Sequence, residues 1–213
     1  AIREQQRIAM TNAVAHNLKT PLCVINGFSE NLREEDGYLT KQHYIDVIQQ
    51  QAGDMDALVH KMLDFSKLES DSAKLNIKSF NIKTELENIA NKYNNISSKN
   101  IIVTADDKEI FADKELMELV FENLIENAVK YSKDNSDIKI SFANNNFNIS
   151  NECDEISKKD LKKMWKPYNR LEKDEEVRGT GIGLSIVKHI LKLHRIKPYT
   201  EYSGGRLIIG FYI

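Results

Sequence analysis

The sequence predicts an α+β protein with two domains, a helical hairpin at residues 1–70 followed by an α/β sandwich at residues 71–213. Good helix formers dominate the first domain, in which no glycine occurs before Gly27. Its second helix carries a heptad stripe of apolar residues. From about residue 80 onward, helical patterns alternate with short strand-like stretches, which is typical of helices laid on one face of a sheet.

The first helix is expected to run from residue 1 to about residue 35, because Glu34–Gly37 is a stop signal and Thr40 is a suitable N-cap for the next helix. Its apolar residues recur mostly at spacings of three and four, at Val14, Leu18, Leu22, Ile25 and Leu32.

The second helix, at about residues 41–69, places one residue of every three or four on a single seam. The seam consists of Tyr44, Ile48, Gln51, Met55, Leu58, Met62 and Phe65. The two helices therefore form an antiparallel hairpin. Since two helices alone cannot enclose a core, we predict a homodimer in which a second copy completes a four-helix bundle.

The second domain is expected to follow a short linker at residues 71–79. Its predicted helices are residues 80–93, 113–132 and 183–194, and its predicted strands are residues 101–104, 109–112, 138–142, 147–150 and a closing pair around Ser203-Gly204-Gly205. Asn144-Asn145-Asn146 is the predicted turn between the two middle strands.

Composition restricts the function more than it identifies it. The chain is 41% hydrophobic and 29% charged, and its formal net charge is −2, which gives no reason to expect nucleic-acid or membrane-surface binding. Two cysteines, Cys23 and Cys153, form no disulfide framework and favour a reducing compartment. The longest apolar run, residues 207–213, is too short to span a bilayer. No signal-like segment opens the chain, and we expect it to be part of a longer protein.

His16 is the first candidate for chemistry. Thr20 lies four residues further on and shares its helical face, and Pro21 deprives the Asn17 carbonyl of its helical partner, so we expect a bend after the histidine. A neutral imidazole is a competent nucleophile near neutral pH. The alternative is an ordinary solvent-facing histidine.

The predicted helix at 113–132 has an apolar stripe that becomes polar halfway along. Leu116, Leu119 and Val120 are followed on the same face by Asn123, Asn127 and Lys130. Such a stripe should line a pocket, because buried amides need partners. Asparagine carbonyls suit magnesium and lysine suits a phosphate. The alternative is a pair of core asparagines satisfied by the backbone.

A glycine-rich turn precedes the predicted helix at 183–194. It contains Gly179, Thr180, Gly181, Gly183 and Leu184. The following helix N-terminus favours an anion, and the charged run Leu171–Glu176 would suit a lid over a nucleotide. The turn is not a P-loop, since leucine rather than lysine follows the last glycine, and no strand precedes it as a dinucleotide fingerprint requires. The alternative is a flexible loop.

Together these motifs indicate phosphoryl transfer from a nucleotide to a histidine, and they resemble the cytoplasmic core of bacterial two-component sensor histidine kinases. The similarity covers nearly the whole chain, with the motifs in the family's order. The histidine box is matched by His16, Lys19, Thr20, Pro21 and Leu22, and the asparagine box by Asn123, Asn127, Ala128, Lys130 and Tyr131. A phenylalanine-type box is matched loosely by Met164–Tyr168 followed by Arg170, and the second glycine box by Gly179, Gly181 and Gly183.

The resemblance implies a dimerisation and histidine-phosphotransfer hairpin followed by a gyrase-type ATP-binding domain. It implies that His16 accepts phosphate, that Thr20 orients water when a response regulator is dephosphorylated, and that Asn127 with Asn123 holds Mg²⁺. The residues that it places at ATP or its phosphates are Lys130, Tyr131, Asn151, Arg170 and the glycine-turn residues. The implied partners are a second copy and a response-regulator receiver domain. The implied location is the bacterial cytoplasm, often behind a membrane anchor upstream.

Two departures from the family pattern bear on activity. The carboxylate expected after the phosphoacceptor is Asn17, which can fix the histidine tautomer but cannot take its proton, so slow autophosphorylation is expected. In the first glycine box, the adenine-reading aspartate falls on Asn151 and the two glycines fall on Cys153 and Glu155. Weaker nucleotide binding is expected, especially if those two positions require a positive φ.

The leading interpretation is an ATP-dependent protein-histidine kinase that passes phosphate to an aspartate of a response regulator. Two alternatives remain open at this point. One is a signalling scaffold that binds ATP poorly and docks a partner on the helical bundle. The other is a sensor dominated by phosphatase activity, in which Thr20 acts while Asn17 slows the kinase direction.

Overall fold

The computed structural model describes residues 2–32, 41–69, 75–166 and 181–213. The chain divides into two compact units, Ala1–Lys67 and Leu68–Ile213. The predicted stop at Glu34–Gly37, the Thr40 cap and the Leu171–Glu176 lid lie outside the described residues.

The first unit is a helical hairpin of α1 (Ile2–Asn31) and α2 (Lys41–Glu69), as predicted. The α1 helix continues through Pro21. Near the closed end of the hairpin, Phe28 packs edge-on against Tyr44 with ring centroids 5.7 Å apart. Because Phe28 lies late in α1 and Tyr44 early in α2, this contact fixes the helices as antiparallel.

The predicted seam on α2 is buried where its side chains are described. Tyr44, Gln51 and Leu58, which are spaced by seven, are buried, and Ile48 and Met55 are half-buried. A second apolar set remains exposed in the single chain: Leu22, Ile45, Val59 and Leu63 are 39–51% exposed. The hairpin thus buries one stripe of α2 internally and leaves apolar residues of both helices uncovered.

The second unit contains seven strands and four helices among its described residues. They are β1 (Ile77–Asn81), α3 (Ile82–Ile96), β2 (Ile101–Ala105), β3 (Glu109–Asp113), α4 (Lys114–Tyr131), β4 (Ile138–Ala143), β5 (Asn146–Glu152), α5 (Lys158–Lys163), α6 (Gly183–Leu193), β6 (Pro198–Ser203) and β7 (Arg206–Tyr212). β1 and β3 form an antiparallel ribbon, and the other five strands form one sheet in the order β2-β4-β5-β7-β6. β2 runs parallel to β4, and the remaining neighbours are antiparallel.

The core of this unit lies between α4 and the sheet. Phe121 of α4 packs on Phe147 of β5 at 5.1 Å, and Phe147 packs on Phe211 of β7 at 4.9 Å. All three side chains are fully buried. The aromatic contacts hold the core face of α4 against the centre of the sheet, and the candidate asparagines lie further along this helix.

Three local features differ from the sequence-based expectations. The predicted linker at 71–79 contains the first half of β1, whose residues are mostly exposed and therefore show no alternating pattern. The short helix α5 was missed because it is one highly charged turn and a half, begun by the Ser157 cap. The β4–β5 turn uses two residues rather than three: Asn144 and Asn145 have φ values of 52° and 62°, which fits a type I′ turn, and Asn146 belongs to β5.

Both ends of α4 are fixed by contacts distant in sequence. At its start, Asp113 caps Leu116 N and accepts a second hydrogen bond from Asn76 N at 2.8 Å, while its own N–H donates to His194 Nε2 at 3.1 Å. At its end, the Lys99 ammonium donates to the carbonyls of Ser132 and Lys133 at 3.2 and 2.8 Å. A helix held at both ends is a rigid support for a binding site.

A carboxylate pair between α3 and α4 gives a pH-dependent stability prediction. Burial, and then the neighbouring Glu85 carboxyl, raise the pKa of Glu118, and Lys114 only partly offsets this. A raised folded-state pKa means that Glu118 stabilises the fold below its unfolded pKa and loses this contribution as pH rises through the folded pKa. Glu118→Gln should therefore raise the melting temperature at pH 7.5 by about 1–2 °C, discounted for solvent exposure, and the gain should vanish below about pH 4.

The matched control is Glu115→Gln on the same helix. Glu115 is exposed and lies in the first turn of α4, where its negative charge favours the helix dipole. This control should leave the melting temperature unchanged or slightly lower at pH 7.5. Equal responses of the two variants in a thermal-unfolding series from pH 4 to pH 8 would contradict the Glu85–Glu118 account.

Candidate functional site

The site begins with Asn123, which is almost completely buried in the middle of α4. Its side-chain Nδ2 donates to the Leu119 carbonyl at 2.7 Å, whereas its Oδ1 is buried with no hydrogen-bond partner. An unpaired buried acceptor costs about 1–3 kcal/mol, so this oxygen weakens the fold unless something else satisfies it.

Asn127 lies one helical turn beyond Asn123 and has the opposite defect. The residue is half-buried, and its Nδ2 is a buried donor without a hydrogen-bond partner. An orphaned acceptor and an orphaned donor thus occur on successive turns of one helix face. A nucleotide phosphate or a metal-bound water can satisfy such groups, and the predicted polar half of the α4 stripe is therefore a fitting place for a phosphate and its cation.

The N-terminus of α6 supplies the second part of the site. The helix begins at Gly183 after Ile182, whose side chain makes no capping hydrogen bond. Gly181, just before it, has a φ of +66°, a conformation that suits glycine. Ser185 N donates to the Ile182 carbonyl at 2.9 Å. The N–H groups at the first two positions of a helix have no intrahelical acceptor and carry a partial positive charge, so those of Gly183 and Leu184 favour an anion.

The structure brings these two parts together. A β-carbon built on Gly183 would lie 2.8 Å from Asn123 Oδ1, which is closer than a real β-carbon comes to another heavy atom. α4 and α6 are therefore in direct contact at the two sequence-predicted positions. The contact explains why residue 183 is glycine although its φ is not positive.

Lys130 and Tyr131 occupy the last turn of α4, where Lys130 is exposed and Tyr131 half-buried. Just beyond, Lys133 N donates to the Glu152 carbonyl at 2.9 Å, which ties the end of α4 to the end of β5. Asn151 precedes this junction and is buried, with its Nδ2 3.4 Å from the Glu152 carbonyl. The side-chain amide of Asn151, the candidate for reading adenine, is thus held close to the C-terminal end of α4.

The altered first glycine box fits the fold without backbone strain. Neither Cys153 nor Glu155 is among the described residues with a positive φ. Cys153 is buried, and its N–H donates to the carbonyl of Gly205, one of two positive-φ glycines in the β6–β7 turn. The backbone at Cys153 and Glu155 therefore does not require glycine for a positive φ.

The phosphoacceptor candidates lie in the first unit. His16, Asn17 and Thr20 are all within α1, five residues or fewer before Pro21, and Thr20 is exposed. The side chains of His16 and Asn17 lie outside the described part of the structure, as do Arg170, Gly179, Thr180 and the end of the phenylalanine-type box. Their assignments remain predictions.

Sequence reasoning missed the residues that position the site. Asp113 was assigned to the helix itself, although an aspartate directly before an apolar helical stripe is an N-cap signal. No local sequence pattern marks Lys99, Lys133 or His194. Each of them forms its hydrogen bond with a group more than ten residues away in sequence or with backbone atoms.

Within the described ranges, no helix is both long and apolar enough to cross a membrane. The same residues contain no group of three or more His, Cys, Asp or Glu side chains able to hold a metal ion.

Comparison with known protein families covers both units in order. Residues 6–71 match the His Kinase A (phospho-acceptor) domain, and residues 112–209 match the family described as histidine kinase-, DNA gyrase B-, and HSP90-like ATPase. This chain belongs to the bacterial sensor histidine kinases. The predicted family and the predicted fold class are both confirmed.

The chain is similar over 95% of its length to two curated sensor proteins. It is 29% identical to the phosphate regulon sensor protein PhoR of Pseudomonas aeruginosa and 28% identical to the sensor protein kinase WalK of Staphylococcus aureus. The chain spans about half the length of these relatives, 48% and 52% respectively.

Solved structures share the kinase fold. Histidine kinase AdeS of Acinetobacter baumannii matches with a TM-score of 0.72 at 20% identity, covering 93% of this chain and 96% of AdeS. Histidine kinase ThkA, solved in complex with the response regulator protein TrrA, matches with a TM-score of 0.76 at 23% identity, covering 99% of this chain and 63% of that chain.

Proposed function

We propose that the chain is the core of an ATP-dependent protein-histidine kinase, which moves the γ-phosphoryl group of ATP to His16 and then to an aspartate of a response regulator. In this proposal residues 1–70 form the dimerisation and phosphotransfer domain, and residues 71–213 bind ATP. The observation that carries it is the orphaned amide donor of Asn127, one helical turn beyond the place where Asn123 meets the N-terminus of α6. The match of residues 6–71 to a phospho-acceptor domain supports the second half of the reaction.

The nucleotide is proposed to lie along α4, with its phosphates toward α6. Asn127 would hold Mg²⁺ through its carbonyl oxygen, and the sequence-based assignment adds Asn123 as a second ligand. When bound, the ion neutralises phosphate charge during transfer. Asn151 would accept a hydrogen bond from the adenine amino group. The proposed phosphate and nucleotide contacts are Lys130, Tyr131, Arg170, Gly179, Thr180, Gly181, Gly183 and Leu184.

His16 is the proposed nucleophile of the first transfer. One ring nitrogen attacks the γ-phosphorus, the bond from that phosphorus to the β,γ-bridging oxygen breaks, and ADP leaves with that electron pair. The proton on the other ring nitrogen has to be held or removed, and the adjacent Asn17 amide can hold it only as an acceptor. Thr20 would orient a water molecule in the reverse, dephosphorylating direction.

The proposed partners are a second copy and a response-regulator receiver domain. The exposed apolar set Leu22, Ile45, Val59 and Leu63 supports dimerisation, because a second hairpin would cover it in a four-helix bundle. The ThkA structure, titled as a complex with response regulator protein TrrA, supports the receiver partner. We place the whole protein at the bacterial membrane with this core in the cytoplasm.

The scaffold alternative has no observation in its favour. Both halves of the chain match kinase domains, and the altered first glycine box fits the backbone without strain. A contribution from phosphatase activity stays compatible with Thr20 on the exposed surface of α1.

The deciding experiment is autophosphorylation with γ-labelled ATP and magnesium. The parent chain should acquire acid-labile label, and His16→Ala should acquire none while remaining folded and dimeric. His60→Ala is the matched control, because His60 is an exposed histidine on α2, where it contacts Asp56 at 3.6 Å, and it should label normally. Label that persists in His16→Ala, or no label on a folded parent dimer, would contradict the proposal.

A further inference from the structure

We infer that Asn123 is a positioning residue that sets the location of the α6 N-terminus by filling the space next to Gly183, rather than a magnesium ligand. The inference rests on the proposed nucleotide-binding function and deepens it. It concerns how the contact between Asn123 and Gly183 keeps the phosphate end of the site in place.

The orientation of the Asn123 side chain is fixed by its hydrogen bond. Nδ2 donates to the Leu119 carbonyl at 2.7 Å, and exchanging the amide nitrogen and oxygen would place two acceptors against each other. The oxygen must therefore be the atom that faces Gly183. It is buried there, enclosed between α4 and α6, where a magnesium ion with its retained waters would have little room.

The contact with Asn123 opposes any side chain at position 183. The φ of Gly183 is not in the positive region, so the backbone would accept any residue, and α6 would gain from alanine in a helical position. What forbids a side chain is Asn123: the built β-carbon meets Oδ1 at 2.8 Å, Cγ at 3.7 Å and Cβ at 3.9 Å. If the carboxamide were removed, the closest of these atoms would be the Asn123 Cβ, at an ordinary contact distance.

The contact matters because α6 begins at this point. The first turn of α6 is the part of the fold best suited to an anion. Its N–H groups can donate hydrogen bonds to a phosphate only if they lie at hydrogen-bond distance from the phosphate oxygens. A side chain at position 183 would push α6 away from α4 by a few tenths of an ångström or more. The phosphate contacts would weaken, whereas an adenine site near Asn151 would be unaffected.

The test is a double-mutant cycle with Gly183→Ala, Asn123→Ala and the double variant, made in the full chain. ADP and adenosine affinities are measured by calorimetry in EDTA, so that no magnesium contributes. Gly183→Ala should weaken ADP binding about tenfold or more and leave adenosine binding unchanged. The double variant should bind ADP within about threefold of Asn123→Ala alone, because the clash is gone.

Thermal unfolding gives a readout independent of nucleotide. Gly183→Ala should lower the melting temperature, and adding Asn123→Ala should recover much of the loss. Gly53→Ala is the matched control, since Gly53 lies within α2 with nothing within 4 Å of its built β-carbon, and it should unfold at an unchanged or higher temperature.

The outcomes separate the inference from the proposed function. Absence of ADP binding by the folded parent chain would overturn both. Normal ADP binding by the parent, with no rescue of Gly183→Ala by Asn123→Ala, would overturn the positioning role alone. A loss of affinity in Asn123→Ala that appears only when magnesium is added would likewise overturn it and favour the ligand assignment.

Discussion

Replacing Asn17 by aspartate should accelerate phosphorylation of His16 by about 10²-fold or more, which is the lower end of what general-base assistance contributes. Asn17 directly follows the proposed phosphoacceptor in α1. Its amide can accept a hydrogen bond from the imidazole N–H but cannot take that proton as the phosphoryl group arrives. An aspartate at the same position can do both, and its negative charge also stabilises the imidazolium that forms in the transition state.

The measurement is the initial rate of label incorporation at saturating magnesium and ATP, recorded from pH 6 to pH 9. The parent chain should become faster as pH rises, since solvent must remove the proton. The aspartate variant should be fast and nearly independent of pH above about pH 7.5, where an imidazole nucleophile is neutral and the carboxylate is ionised, since their reference pKa values are about 6.5 and about 4.

Asn17→Ala is the matched control for this series. It removes the hydrogen bond without adding a base, and should be as slow as the parent chain or slower. Equal rates for the aspartate and alanine variants would show that the proton on His16 is not rate-limiting. The altered residue would then have to be explained by a slow step elsewhere, such as nucleotide binding.

The helices were predictable from sequence because their patterns are local and long. The stripe from Tyr44 to Leu58 repeats every seven residues and is buried where its side chains are described. The end points of α2 agree with the expected 41–69, since the chain changes composition sharply at Ser70. A repeat of this length has one cause, the burial of the same helix face along its length, so it is easily recognised in the sequence.

The sheet was only partly predictable because its pairing is not local. The β4–β5 and β6–β7 hairpins follow from short turns, but the parallel β2–β4 pair and the β5–β7 pair join strands separated by a helix or more. β1 was missed altogether. It is an edge element with one buried residue, Phe80, and its existence depends on pairing with β3 rather than on its own pattern.

The candidate site was visible in the sequence for the opposite reason. Asn123 and Asn127 break an apolar stripe at positions where the helix faces the core, and a break of that kind costs stability. The structure adds what the pattern lacks: the direction of each amide, and the contact of Asn123 with Gly183 some 60 positions later in sequence. Contacts over such separations leave no local trace in a single chain.

Asn127→Ala should abolish most ATP-dependent labelling, by about 10²- to 10³-fold, without lowering the stability of the chain. The two effects have one cause. Asn127 Nδ2 is a buried donor with no partner, so the fold loses little by its removal and gains helix propensity from alanine. The proposed site places this donor against a phosphate oxygen and the Asn127 carbonyl oxygen on Mg²⁺, so the reaction loses interactions that the fold alone does not use.

Asn94→Ala is the matched control, because Asn94 is an asparagine whose amide is fully used by the fold. Its Oδ1 accepts from Ile101 N at 2.8 Å and its Nδ2 donates to Ile101 O at 3.2 Å, which fastens α3 to β2. This variant should unfold about 2–6 °C lower and label at the parental rate. Asn127→Ala should therefore lose labelling but not stability, and Asn94→Ala should lose stability but not labelling. If Asn127→Ala instead unfolds at lower temperature and keeps its activity, Asn127 is a structural residue like Asn94, and the orphaned donor does not mark the phosphate site.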